Sequence, residues 1–247
     1  MTGRRLRPYA LVLLAAVAVG VFLATVPTFR EFFDLGVYRG AVRHWLIEGG
    51  DLYEFRYQGT EYGFTYPPFA ALLMSPLAVL SWPLAITAGL VVNTMAVALL
   101  LRWFLTPARP GWLPFALGFL AVLIFEPTRD TFSFGQINLV LLVLVCTDLR
   151  RLQTGRWAGV GIGLAAAIKL TPAVFIGYLI LSRQYRAAAT AIGTAAGATL
   201  LAVLIAPAES RTFWTSALWD TSRVGREEYV SNQSLRGVVA RLEAPSI

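Results

Sequence analysis

Charge is scarce in this chain of 247 residues: 14% are Asp, Glu, Lys or Arg, where ordinary globular domains carry about a quarter. With 57% of residues hydrophobic, that scarcity argues against a soluble single domain. Lysine is scarcer still, since 20 of the 21 basic residues are arginine and Lys169 stands alone. A single cysteine, Cys146, lies inside an apolar run, which excludes a disulfide framework or a multi-cysteine metal cluster within the chain. One histidine, His44, cannot supply a metal site by itself, and its neighbours Arg43 and Trp45 give it an interfacial setting. No Walker loop, dinucleotide glycine fingerprint or nucleophile elbow occurs. No internal repeat, low-complexity tract or Gly/Ser linker occurs either. The formal charge of +7 would suit nucleic acid, but long uninterrupted apolar runs do not occur in DNA-binding domains, so no nucleic-acid partner is expected.

Apolar runs are what the sequence has in plenty. The first, residues 9–26, follows Arg4, Arg5 and Arg7 and is long enough to cross a bilayer at about 1.5 Å per residue. It has no small-x-small cleavage site after it and reads as an uncleaved anchor. Further runs at 84–101, 112–125, 137–146, 157–168, 173–181 and 187–206 bring the expected total to about seven spans. Residues 69–80, which follow Tyr66-Pro67-Pro68 and are bounded by Pro76 and Ser81-Trp82-Pro83, read as a half-helix or interfacial piece too short to cross unaided. The expected fold is therefore all-α, a single polytopic helical membrane domain over residues 1–247.

Between the first two spans, Leu35, Tyr38, Val42, Trp45 and Leu46 recur at helical spacing, predicting an amphipathic helix at the membrane surface on an external loop. Tyr53, Tyr57 and Tyr62 fit an interfacial aromatic belt. With the N-terminus cytoplasmic, Arg102, Arg109, Arg150, Arg151, Arg156, Arg183 and Arg186 join the first three arginines on that side, against one acid, Asp148. This bias obeys the positive-inside rule. It places the polar clusters around Asp34, Tyr66, Gln136, Lys169 and Asn232 on the external side.

Each cluster has a chemical and a structural reading. Asp34 is either a general base at a membrane boundary or an N-cap of the amphipathic helix. Lys169, flanked by Ile168 and Leu170, is either a phosphate ligand or a snorkelling helix end before Pro172. Gln136 and Asn138 carry amides suited to sugar hydroxyls, or simply open a span after the Gly135 turn. In that same turn Arg129 has Asp130 and Glu126 as candidate partners. Tyr66-Pro67-Pro68 restricts the backbone ahead of a helix, and Asn232-Gln233-Ser234 has the form of a glycosylation sequon.

Taken in order, the motifs are Asp34-x-Gly-Val-Tyr38, Gly50-Asp-Leu-Tyr53, Tyr66-Pro-Pro-Phe69, Gly135-Gln136-x-Asn138, Lys169-Leu-Thr-Pro172 and Asn232-Gln233-Ser234. This set resembles glycosyltransferase family 87, membrane enzymes of the GT-C type that use polyprenol phosphate mannose to build alpha-(1,2)-mannosides in actinobacteria. The resemblance runs from about Phe33 to Arg241, and it implies that the chain is the N-terminal part of a longer protein. It implies inverting transfer of mannose from a polyprenyl phosphate to a mannose hydroxyl of a glycolipid or lipoglycan in the cell membrane. Asp34 would take the acceptor proton. A leaving phosphate needs no second carboxylate, unlike most glycosidases. Lys169, with Arg129 or Arg236, would stabilise the phosphate, and Gln136, Asn138, Asn232 and Gln233 would contact sugar, beside Tyr38 and Tyr66. No cofactor, nucleotide or metal is called for. Two alternatives remain: a non-catalytic membrane protein such as a transporter subunit, scaffold or inactive truncated relative, and a GT-C transferase using another lipid-linked sugar.

Overall fold

The computed structural model describes residues 3–25, 29–105, 111–155, 157–220, 223, 232 and 234–243. The described residues form twelve α-helices joined by short 3₁₀ turns and one π-helical turn, with no strand among them. Two compact units emerge: Met1–Leu35, Leu80–Ala166 and Thr171–Ala195 in one, Gly36–Val79, Ala167–Leu170 and Ala196–Ile247 in the other.

The first unit is the larger and holds most of the apolar helix. Helix α1 (Gly3–Thr25) has Leu13 and Leu14 about two-thirds exposed, as expected of side chains that face lipid. After it, helix α2 (Phe33–Leu46) begins in the first unit and ends in the second. In the second unit, α3 (Pro68–Met74) opens on a proline in its first turn, where the missing N–H costs nothing, and ends as a 3₁₀ turn, Ser75–Ala78. This is the short half-helix the prolines predict.

Back in the first unit, α4 (Trp82–Leu105) packs on α5 (Trp112–Ile124) and on α7 (Asn138–Arg151), while α5 also packs on α1. Ala96, Val97 and Leu100 of α4 meet Leu139 and Cys146 of α7 in a core closed by Phe119, Val122 and Phe132. Between α5 and α7 lies α6 (Glu126–Phe134), bent 73° from α5. The sequence reading treats this stretch as a turn. Its helix is nonetheless signalled by Pro127 in the first turn and Gly135 just past the end.

Helix α8 (Val160–Ile168) starts on the carboxylate of Asp148, which is fully buried and accepts from the Ile162 N–H at 2.7 Å. That bond satisfies one of the orphan donors at the helix start. Helix α9 (Val174–Leu181) follows the Thr171–Ala173 turn. Helix α10 (Tyr185–Ile205) lies so close to α8 that a Cβ on Gly163 would sit 2.5 Å from the Ala191 carbonyl oxygen. Helices α11 (Pro207–Thr212) and α12 (Leu235–Glu243) belong to the second unit.

By length and composition α1, α4 and α10 can each cross a membrane, and the bent pair α5 and α6 can do so together. Pro68–Ala78 and Thr171–Leu181 are shorter apolar helices. Along the stripe predicted for α2, Leu35, Tyr38 and Val42 are buried, as are Val37 and Ala41 beside them, and only Leu46 is well exposed.

Candidate active site

The sequence candidates gather in two clusters, one in each unit. In the first unit the chain enters α2 through Glu31 and Phe32, both with positive φ (52° and 54°), a costly conformation for an aromatic side chain. Two bonds to Ser133 of α6 hold that entry. The Arg30 N–H donates to Ser133 Oγ at 2.6 Å and the Phe32 N–H to the Ser133 carbonyl at 2.9 Å. Asp34 then falls in the first helical turn, where a carboxylate is favoured by the helix dipole.

Gly135 closes α6 in the left-handed conformation, φ 70°. Its N–H reaches the Phe132 carbonyl, and the Gln136 N–H reaches the Thr131 carbonyl at 2.9 Å, which together make a Schellman motif. Only glycine fits here on two counts: φ is positive, and a Cβ would stand 2.7 Å from the Leu35 Cβ. The turn brings Gln136 to Asp34. Gln136 Nε2 donates to Asp34 Oδ2 at 2.5 Å, and Gln136 Oε1 accepts from Asn138 Nδ2 at 2.5 Å. An ionised carboxylate only accepts, so this polarity fixes which way both amides face. Gln136 and Asn138, predicted as sugar ligands, therefore form a relay onto Asp34. In α6, Arg129 Nε lies 3.7 Å from Asp130 Oδ1 and is buried with no hydrogen-bond partner. Of the two pairings weighed for Arg129, the structure has the one with Asp130.

In the second unit, the Tyr38 and Tyr66 hydroxyls are 2.8 Å apart and their rings meet edge to face at 5.2 Å. The Tyr53 hydroxyl donates to the Tyr66 carbonyl at 2.9 Å. Tyr53 is 1% exposed, between the rings of Phe64 and Phe213. Burial, reinforced by the Glu209 carboxylate and opposed by Arg223, pushes its phenol far above the ordinary value, so it stays a donor. Lys169 follows the last residue of α8, and its Nζ stands 5.3 Å from the centre of the Tyr66 ring, within cation–π range. Tyr66, Tyr38 and Lys169 thus form one constellation.

The remaining candidates are elsewhere. Asn232 Oδ1 accepts from the Ser234 hydroxyl at 2.7 Å, and Ser234 Oγ in turn accepts from the Gly237 N–H, so this motif caps α12. Arg236 is exposed on that helix, and Gln233 lies outside the described residues. Arg43 and His44 both pair with Glu48. Among the described residues no three of His, Cys, Asp and Glu are placed to hold a metal ion. Sequence reasoning passed over Asn93, Ser133 and Tyr53 as site components. Tyr53 closes the Gly50-Asp-Leu-Tyr53 motif, and Asn93 carried a signal of its own, a carboxamide in the middle of an apolar span.

The model of glycosyltransferase family 87 matches residues 64–246. The chain belongs to glycosyltransferase family 87. Among family-87 relatives, the polyprenol-phosphate-mannose-dependent alpha-(1-2)-phosphatidylinositol mannoside mannosyltransferase of Mycobacterium tuberculosis is 37% identical, over 97% of this chain and 61% of its own length. The enzyme of the same name from Mycolicibacterium smegmatis is 39% identical over 85% of this chain and 52% of its own. A pentamannoside mannosyltransferase of that organism is 35% identical over 97% and 59%. The chain thus spans between half and two-thirds of the length of these curated relatives. No solved structure matches it. The family-87 match begins at residue 64, so Tyr66, Arg129, Gln136, Asn138 and Lys169 fall within it, while Asp34 and Tyr38 precede it.

Proposed function

We propose that this family-87 chain belongs to a membrane mannosyltransferase that moves mannose from polyprenyl phosphate mannose to a hydroxyl of a phosphatidylinositol mannoside or related lipoglycan. The observation that carries the reading is the Asp34 carboxylate, held at the start of α2 by the Gln136 amide. Asp34 takes the proton of the acceptor hydroxyl as that oxygen bonds to C1 of mannose. The bond from C1 to the phosphate oxygen breaks on the opposite face, a beta donor becomes an alpha product, and polyprenyl phosphate leaves with the bonding electrons. Asp34 afterwards returns its proton to water.

Charge builds on the phosphate as it leaves, and the Lys169 ammonium is the group to receive it. Tyr66 supports Lys169 from its ring face, and Tyr38 and Tyr53 hold Tyr66 in place. Arg129 and Arg236 are further phosphate candidates, and Asn232 and Gln233 further sugar candidates. The arginine-rich short loops support a cytoplasmic N-terminus, with transfer on the external face.

Membranes carrying the chain, and any longer form its gene encodes, are supplied with radiolabelled polyprenyl phosphate mannose and a phosphatidylinositol mannoside. The reading expects a labelled, extended glycolipid. Label that appears only with another lipid-linked sugar, or with none, contradicts it.

A further inference from the structure

Asn93 stands near the middle of α4 and is 3% exposed. Its Nδ2 donates to the Gln136 carbonyl at 3.0 Å, while its Oδ1 is buried with no hydrogen-bond partner. A carboxamide half satisfied inside an apolar span is unfavourable for stability, and leucine, with the same number of side-chain heavy atoms, would remove the buried Oδ1 but leave the Gln136 carbonyl without the Asn93 donor. Something other than packing has to account for it.

Gln136 supplies the account, because every polar group it has is engaged within the first unit. Its N–H goes to the Thr131 carbonyl, its Nε2 to Asp34, its Oε1 accepts from Asn138, and its C=O accepts from Asn93. Three of these bonds come from the turn itself or from the carboxylate being served. The Asn93 bond is the one that comes from a membrane-length helix, α4, which core packing also fixes against α7. Pinning the carbonyl fixes the peptide plane after Gln136. With the N–H already fixed before it, the Cα–Cβ direction is set, and with it the aim of the amide at Asp34. We infer that Asn93 is a positioning residue for the general base, holding the Gln136 amide on Asp34 by way of the Gln136 backbone; this rests on the role proposed for Asp34.

The test compares Asn93→Leu, Gln136→Leu and the double variant with the parent in the same membranes. Leucine suits a membrane helix, so insertion is preserved. A residue that acts only by aiming the Gln136 side chain loses its effect when that side chain is gone. Asn93→Leu is expected to lower kcat about 10- to 100-fold, with the KM for donor and acceptor unchanged. The double variant is expected to be no slower than Gln136→Leu alone. A double variant slowed by the product of the two single losses overturns the inference, as does a loss confined to KM.

A second measurement needs no turnover: coupling of a carbodiimide and an amine to Asp34, read by mass spectrometry of the peptide. Asn93→Leu is expected to raise labelling several-fold, to the level of Gln136→Leu. Labelling that Asn93→Leu leaves at the parent level overturns the inference. Mannosyl transfer absent from the parent counts against the proposed function, and the labelling then decides the Asn93 coupling by itself.

Discussion

Tyr53 carries an unusual share of the second unit. Its hydroxyl is buried, donates to the Tyr66 carbonyl, and has its ring against Phe64 and Phe213. Tyr53→Phe keeps the ring and orphans a carbonyl, so it is expected to lower stability by about 1–3 kcal/mol in a denaturant titration. The phenol also sets a pH dependence. Its folded pKa is raised, by burial first, above an unfolded value near 10. Between those values the unfolded chain gives up a proton that the folded one keeps, so the contribution is complete below about pH 10 and falls as pH rises beyond it. The parent is expected to lose stability steeply there and Tyr53→Phe to lose less; parallel curves would contradict the assignment. Residue types foretold this level unevenly. Asp34 and Lys169 stand out because a carboxylate and the sole lysine are conspicuous near apolar runs. The amide roles did not, because a Gln that contacts sugar and a Gln that orients a carboxylate carry the same side chain. Only the partner distinguishes them, and that partner is 102 residues away in the chain.

At the scale of elements, the turn from α6 to α7 determines where Gln136 points, and Gly135 determines the turn. Gly135→Ala forces a Cβ into a positive-φ backbone and against Leu35. The expected cost is about 1–3 kcal/mol in thermal unfolding. Transfer activity is expected to fall more than that loss accounts for, because the Gln136 amide moves off Asp34. Retained activity in a destabilised protein would separate the turn from the site. The long elements were legible from apolar length alone: α1, α4 and α10 match their predicted runs to within a few residues. Helix α6 was not read from its apolar content, since Glu126–Phe134 is largely polar, and its Pro and Gly punctuation was the only guide. The burial of the α2 face was hidden for a different reason. Helical periodicity states that one side is apolar but not whether lipid or protein covers it.

For the whole molecule, the physical question to test is orientation, for which the arginine distribution is the basis of the proposed cytoplasmic N-terminus. Single cysteines on a Cys146→Ser background test it with a membrane-impermeant thiol reagent in intact cells. Gln58→Cys is expected to label at once, and Gln153→Cys only after the membrane is opened; the reverse pattern would invert the topology. Family membership, the arginine bias and the Asp34 relay are the three supports of the proposed external transfer of mannose from a lipid phosphate. The most direct test of that account is the rate of mannosyl transfer by Asp34→Asn, measured at equal expression with donor binding followed in parallel. Asparagine keeps the shape and removes the base, so transfer is expected to fall about 10²- to 10⁴-fold while donor binding persists. Transfer at the parent rate would contradict the account at its centre.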